Sequence, residues 1–378
     1  MKRNLNFFFI LGMIRSGTTY LTKLLNESKK ISAISDPYLH FFKSYRNEIY
    51  KKHLIEFDNG HPLDDHFCSK FEKINKIIEN SDLSESISPD TLSKAISNIK
   101  IQAKRDSEID LINIEKIKAN NYGTFLEKLF QQINLNYYKK NLTHIGFKST
   151  FCEQFTSTLL NNNKNYKFIF IIRDPRAVYA SHIKEHEKQY PLLFIIRNWR
   201  KSVFYALRTI QKYNNSIIIK YEDLVENKKC CLDKIFDFLD LNESNYDYTK
   251  EVFLDDKGKE WKSNSSFVIM DKNQKKDNWK KTLSQNQINL IETLTSHELD
   301  YFGYSRIGEL GFSNIILNQI EKKENFYEWI KKYSKNKYLL NTKNLKNELI
   351  RNQLLNKKTK LSDDLKYSFL ISNQLYDM

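Results

Sequence analysis

Phe7-Phe8-Phe9-Ile10-Leu11-Gly12-Met13-Ile14-Arg15-Ser16-Gly17-Thr18-Thr19-Tyr20-Leu21 decides how the rest of the chain is read. Unbroken apolar residues without alternation read as a strand buried on both faces. Gly12 and Gly17 bound a tight loop, and Tyr20, Leu21, Leu24 and Leu25 fall on one side of a helix over Thr18 to Asn26. At such a helix start the backbone N–H groups lack intrahelical partners and the helix dipole adds partial positive charge. The turn is therefore suited to an anion such as phosphate. The glycines have the spacing of the nucleotide loop GxxxxGK[ST], with Thr19 at the hydroxyl position and Thr18 where the lysine belongs. That lysine reaches the β- and γ-phosphates of a triphosphate. Its replacement argues against an ordinary ATPase or GTPase, and Arg15 supplies a cation from another direction.

Outward from this loop, short apolar runs mark further buried strands: Ile31 to Ser35, His144 to Lys148, Tyr166 to Ile172 and Ser216 to Tyr221. Helical patterns lie at Ala177 to His186, behind Pro175, at Leu192 to Tyr213, behind Pro191, and at Leu232 to Leu239 and Gln285 to Leu299. The alternation predicts an α/β three-layer sandwich around a central parallel sheet of about five strands, with a P-loop-like nucleotide site. Residues 45–138 are charged, with helical spacing, and read as a helical insertion. Residues 1–309 read as one α/β domain, and 310–378 as a basic helical or partly disordered extension.

Composition bounds the partners. The 378 residues are 40% hydrophobic, enough for a sizeable core, and 61 Lys+Arg against 46 Asp+Glu leave a net +15. The excess favours anionic partners, although Lys and Asn are abundant along the whole chain. No interleaved basic and aromatic pattern marks nucleic-acid binding. Four scattered cysteines fit neither a disulfide framework nor a zinc site, and suit a reducing compartment. Met1-Lys2-Arg3 and the apolar run after it imitate a signal peptide, but no small-residue cleavage site follows. No apolar run is long enough to span a bilayer. The expected location is cytoplasmic.

A second anion site is read at Arg173-Asp174-Pro175-Arg176-Ala177-Val178-Tyr179-Ala180-Ser181. Arg173 leaves the carboxyl end of a buried strand, where open α/β sheets bind ligands, and Ser181 lies two turns into the next helix. Together they suit a monophosphate. An ion pair of Arg173 with Asp174 at the strand end is the structural alternative.

The two segments together resemble the 3'-phosphoadenylyl sulfate (PAPS) dependent sulfotransferase family. Arg15 to Thr19 is similar to its 5'-phosphosulfate loop, and Arg173 to Ser181 to its 3'-phosphate motif. Further pieces follow in order. Gly146-Phe147-Lys148-Ser149 resembles the family's GxKTP-like strand end without its proline. Tyr221-Glu222-Asp223-Leu224 resembles YEDL, Phe236-Asp237-Phe238-Leu239 resembles the FLG segment, and Asn264-Ser265-Ser266-Phe267, Trp279-Lys280 and Phe302-Gly303-Tyr304 resemble the closing pieces. The match is closer to the bacterial and Golgi-type branches than to the cytosolic one, whose RKG triplet is replaced by a stretch with Lys272, Lys275 and Lys276.

The resemblance implies PAPS as co-substrate, with PAP released, no required metal, and a sulfuryl group moved to a hydroxyl or amine. It assigns the nucleotide to Arg15, Ser16, Gly17, Thr18, Thr19, Arg173, Ser181, Tyr221, Ser265 and Lys272, although Tyr221 also reads as a core aromatic. Arg15 and Lys148 would stabilise charge on the leaving oxygen. The base is left among Asp36, at an Asp-Pro turn, His40, and, flanking the Lys148 strand end, His144 and Glu153. Trp199 and Trp279 read as core or stacking residues. The acceptor is not legible: glycan, lipid headgroup, metabolite and peptide all stay open. The alternatives are a P-loop small-molecule kinase and an inert PAP- or polyanion-binding module.

Overall fold

The computed structural model describes residues 5–35, 39–53, 76–104, 113–136, 141–185, 192–250, 252–253, 260, 278–311, 342–356 and 360–377. In chain order the strands and helices are β1 (Asn6–Leu11), α1 (Thr18–Asn26), β2 (Ile31–Ser35), α2 (Leu39–Lys52), α3 (Pro89–Gln102), α4 (Tyr122–Asn136), β3 (His144–Ser149), α5 (Thr156–Asn162), β4 (Lys167–Ile172) and α6 (Pro175–Glu185). There follow α7 (Leu192–Lys212), β5 (Ser216–Lys220), α8 (Tyr221–Glu226), α9 (Lys228–Phe238), α10 (Gln285–Leu294), α11 (Ser296–Tyr301), α12 (Thr342–Asn356), α13 (Asp363–Ser368) and α14 (Asn373–Tyr376). They fall into two compact units, one drawn from Met1–Glu56, Asn75–Ile172 and Lys212–Lys262, the other from Arg173–Gln211 and Ser263–Met378.

The first unit holds a five-stranded, wholly parallel sheet in the order β2-β3-β1-β4-β5. This is the α/β fold that the apolar runs predict. Register is fixed by an aromatic ladder: Phe9 pairs with Phe147 and Phe168 on its two neighbouring strands, with ring centroids 5.7 and 5.1 Å away and near-parallel planes. A one-residue slip would turn those rings to the other face, so the ladder also fixes what lies one step further on. From β1 the chain runs to β2 on one side of the sheet, and from β3 it crosses to β4 on the other. The switch point therefore lies where β1 adjoins β4, the usual ligand crevice of such sheets.

The charged stretch after β2 is helical where it is described. It opens with α2, six residues earlier than the insertion boundary read from the sequence. α3 starts on Pro89 behind a Ser88 hydroxyl that accepts the Thr91 N–H. Phe41, Tyr45, Tyr122 and Phe125 pack as one aromatic cluster in this region.

The second unit is helical. α7 buries a polar row, Arg197, Asn198, Arg200, Lys201 and Ser202. The Glu348 carboxylate of α12 takes Arg200 through two contacts of 2.5 Å and Arg197 at 3.4 Å. Burial alone would raise the Glu348 carboxyl, but Arg200 and Arg197 outweigh it and hold it below the usual range. Arg351, one turn on, pairs with Glu298 and donates to the Phe369 carbonyl at 2.8 Å. Tyr367 and Leu370 pack with Phe204 and Tyr205 of α7, and the two tyrosine hydroxyls meet at 3.0 Å. The described helices near the carboxyl terminus are thus docked within this unit through buried charge and apolar contacts. No helix among the described residues is long and apolar enough to cross a membrane.

Candidate functional site

The loop after β1 is shaped by close packing. A Cβ on Gly12 would sit 2.6 Å from the Ile171 carbonyl oxygen of β4, so only glycine lets the chain leave the sheet here. Arg15 has φ 67° and Gly17 φ 93°. A left-handed arginine costs about 1–3 kcal/mol and persists only where its surroundings hold it. Here the Ser16 N–H donates to the Met13 carbonyl at 3.1 Å. At Gly17 a Cβ would lie 2.3 Å from the Tyr221 ring. Tyr221, the first residue of α8, is buried beneath the loop and braces it. Gly17→Ala therefore combines a disfavoured φ with a ring clash. It should destabilise the protein by about 1–3 kcal/mol in a denaturant titration, and an unchanged midpoint would contradict this packing.

α1 begins with its first-turn N–H groups facing out of this loop. No side chain caps it and its first turn carries no acid. The Ser16 hydroxyl is 1% exposed and has no hydrogen-bond partner among the described residues. A buried donor left open beside an uncapped helix start is what an anionic ligand would satisfy. Lys148 joins this end of the sheet: the aromatic register carries it opposite Ile10 of β1 and Ser35 of β2, one residue before β3 ends. It is 4% exposed, unusual for a lysine. In place of the family's proline the chain turns through Phe151 at φ 62°, with Ser149 Oγ 3.1 Å from Cys152 Sγ.

The base candidates separate. His40 is half-buried in the first turn of α2, directly downstream of β2. Glu153 is buried in the short turn after β3. His144 does not flank the Lys148 end, because it is the first residue of β3, about 13 Å away at strand rise. Its Nε2–H donates to the Leu239 carbonyl at 2.9 Å, and burial lowers its pKa. The unfolded chain then binds the extra proton, so His144 destabilises the fold as pH falls below about 6.5. His144→Gln should flatten that acid slope, and an unchanged slope would contradict the buried neutral ring. Asp36, Ser265 and Lys272 lie outside the described residues.

In the second unit Arg173, directly after β4, is 9% exposed, and its carbonyl accepts the Trp199 indole N–H at 2.8 Å. The Asp174 carboxylate caps α6 through the Arg176 N–H at 2.8 Å and grips the Arg176 guanidinium at 2.6 Å. Arg176 also pairs with buried Glu292 and lies 4.1 Å from the Trp279 ring centre. Burial works against its charge, but Asp174 and Glu292 more than offset that and raise its pKa. Ser181 is 9% exposed on α6. Both tryptophans are buried supports. The sequence reading missed these bracing roles and that of Tyr221. A tyrosine directly after a strand, together with a loop glycine, was the available signal for the last.

With this geometry in view, the profile of the sulfotransferase family matches residues 8–245, well over half of the chain. The chain belongs to the sulfotransferase family. Among solved structures, this sulfotransferase is similar to the sulfotransferase domain from the curacin biosynthetic pathway (18% identity, 82% of this chain and 100% of that one, TM-score 0.42). It is similar to the domain from the Synechococcus PCC 7002 olefin synthase (18%, 78% and 96%, TM-score 0.43). It also resembles retinol dehydratase, solved with androsterone and the inactive cofactor PAP (14%, 89% and 83%, TM-score 0.25). No curated protein matches it. The chemistry of this sulfotransferase is therefore sulfuryl transfer. Among the described residues no cluster of His, Cys, Asp and Glu is placed to hold a metal ion.

Proposed function

We propose that this sulfotransferase takes its sulfuryl group from PAPS and passes it to a hydroxyl or amine by in-line displacement, releasing PAP. The observation that carries the reading is the loop: an uncapped helix start, a buried open Ser16 hydroxyl, and Arg15 inside the turn with Thr18 where a nucleotide loop has its lysine, with Lys148 one strand away. Thr18 and Thr19 N–H groups and the Ser16 and Thr19 hydroxyls bind the 5'-phosphosulfate. Arg173 and Ser181 bind the 3'-phosphate.

The acceptor oxygen or nitrogen forms a bond to sulfur as the bond from sulfur to the bridging oxygen of PAP breaks. Negative charge grows on that bridging oxygen, and Arg15 and Lys148 are the fixed cations that stabilise it. Rigid holding of the donor supplies much of the remaining rate. The acceptor's proton goes to a nearby base, for which His40 and Asp36 are the candidates. The domain reading, 1–309 for the α/β enzyme and 310–378 as extension, belongs to the same proposal. The acceptor is a hydroxyl- or amine-bearing glycan, lipid headgroup, metabolite or peptide.

Incubation with ³⁵S-labelled PAPS and a panel of such acceptors tests the reading. Label should move to at least one acceptor, and Arg15→Ala should abolish the transfer. Turnover of ATP with Mg²⁺ and none of PAPS would favour a kinase. PAP binding without any transfer would favour an inert nucleotide module.

A further inference from the structure

Arg173 is held from both sides by a circuit of buried hydrogen bonds that ends on a helix outside the family profile. Upstream of its side chain's task, its carbonyl accepts the Trp199 indole N–H at 2.8 Å. Trp199 lies on α7 next to Arg200, and both are 1% exposed. Arg200 donates to the Leu294 carbonyl of α10 at 3.3 Å and is gripped by Glu348 of α12. Downstream, Asp174 holds Arg176, which pairs with Glu292, also on α10. α7 therefore cannot rotate or slide without breaking either the Arg200–Glu348 pair or the Trp199 bond to Arg173. Such a shift would re-aim the peptide unit from which the Arg173 side chain projects.

We infer that Glu348 and Trp199 are positioning residues for Arg173, so that α12 braces the 3'-phosphate end of the nucleotide site. The inference rests on Arg173 binding that phosphate, as proposed above. A lone structural role for α12 would weaken all ligands alike. A brace on Arg173 affects only ligands that carry the 3'-phosphate. Coupling between sites is reciprocal, so PAP must in turn tighten α12.

The test compares PAP with AMP, which lacks the 3'-phosphate, on the full-length protein. Trp199→Phe keeps the aromatic body and removes the indole N–H that the Arg173 carbonyl accepts. It should weaken PAP roughly tenfold and AMP by less than about twofold. Glu348→Gln should do the same. Because it leaves two buried guanidinium groups without their carboxylate, it is also the variant most prone to misfold. Hydrogen exchange of the unmutated protein needs no variant: saturating PAP should slow exchange of the α12 amides, and saturating AMP should not. Failure of either the Trp199→Phe result or the exchange result overturns the inference, provided the unmutated protein prefers PAP. If it binds PAP and AMP equally, the assignment of Arg173 fails first and the brace falls with it.

Discussion

Lys148→Ala slows turnover by roughly 10²–10³-fold while the KM for PAPS changes only a few-fold. The split follows from where the charge appears. In bound PAPS the bridging oxygen is shared between phosphorus and sulfur and carries little charge. As sulfur leaves it becomes a phosphate oxygen of PAP, and a cation held beside it gains most in the transition state. Lys148 is 4% exposed at the end of β3, where its ammonium is poorly hydrated and its field is little screened. A thermal melt serves as the control for the fold. Steady-state kinetics at saturating acceptor reads the effect. A fall in affinity with unchanged kcat would make Lys148 a binding residue only.

Arg173→Ala weakens PAP by about 10–100-fold and leaves AMP nearly untouched. A hydrogen bond to a charged group is worth about 1.5–3 kcal/mol, and each 1.4 kcal/mol is a factor of ten in affinity. The side chain is removed, but the carbonyl that accepts from Trp199 stays, so α7 keeps its anchor. Ser181→Ala removes a neutral donor and should cost several-fold less. Isothermal titration with the two nucleotides measures both. Equal losses for PAP and AMP in Arg173→Ala would show that the arginine supports the fold and not the 3'-phosphate.

The parts of the fold that could be read from the residues are those governed by local pattern. Phe8 to Leu11 and Phe168 to Ile172 are buried on both sides, so they appear as continuous apolar runs, and the strands lie where those runs lie. The helix read over Gln285 to Leu299 instead breaks at Thr295, whose hydroxyl turns back onto the Ile291 carbonyl at 2.7 Å. The loop was legible because glycine spacing is a covalent fact. That Arg15 is left-handed was not, since φ there belongs to the folded turn that the Ser16 N–H closes on the Met13 carbonyl. His144 was misplaced because two residues on one short strand look like neighbours in sequence, yet strand geometry sends them to opposite ends. The Glu348 circuit was beyond reach. Its partners Arg197 and Arg200 are 151 and 148 residues away, and nothing periodic links an acid on one helix to arginines on another.

The most direct measurement is a crystal structure of the protein with PAP. The account predicts the 5'-phosphate on the Thr18 and Thr19 N–H groups with the Ser16 hydroxyl turned toward it, Lys148 near the bridging position, and the 3'-phosphate on Arg173 and Ser181. Density for PAP away from the Gly12 to Thr19 loop, or a 3'-phosphate with neither Arg173 nor Ser181 beside it, would contradict the assignment.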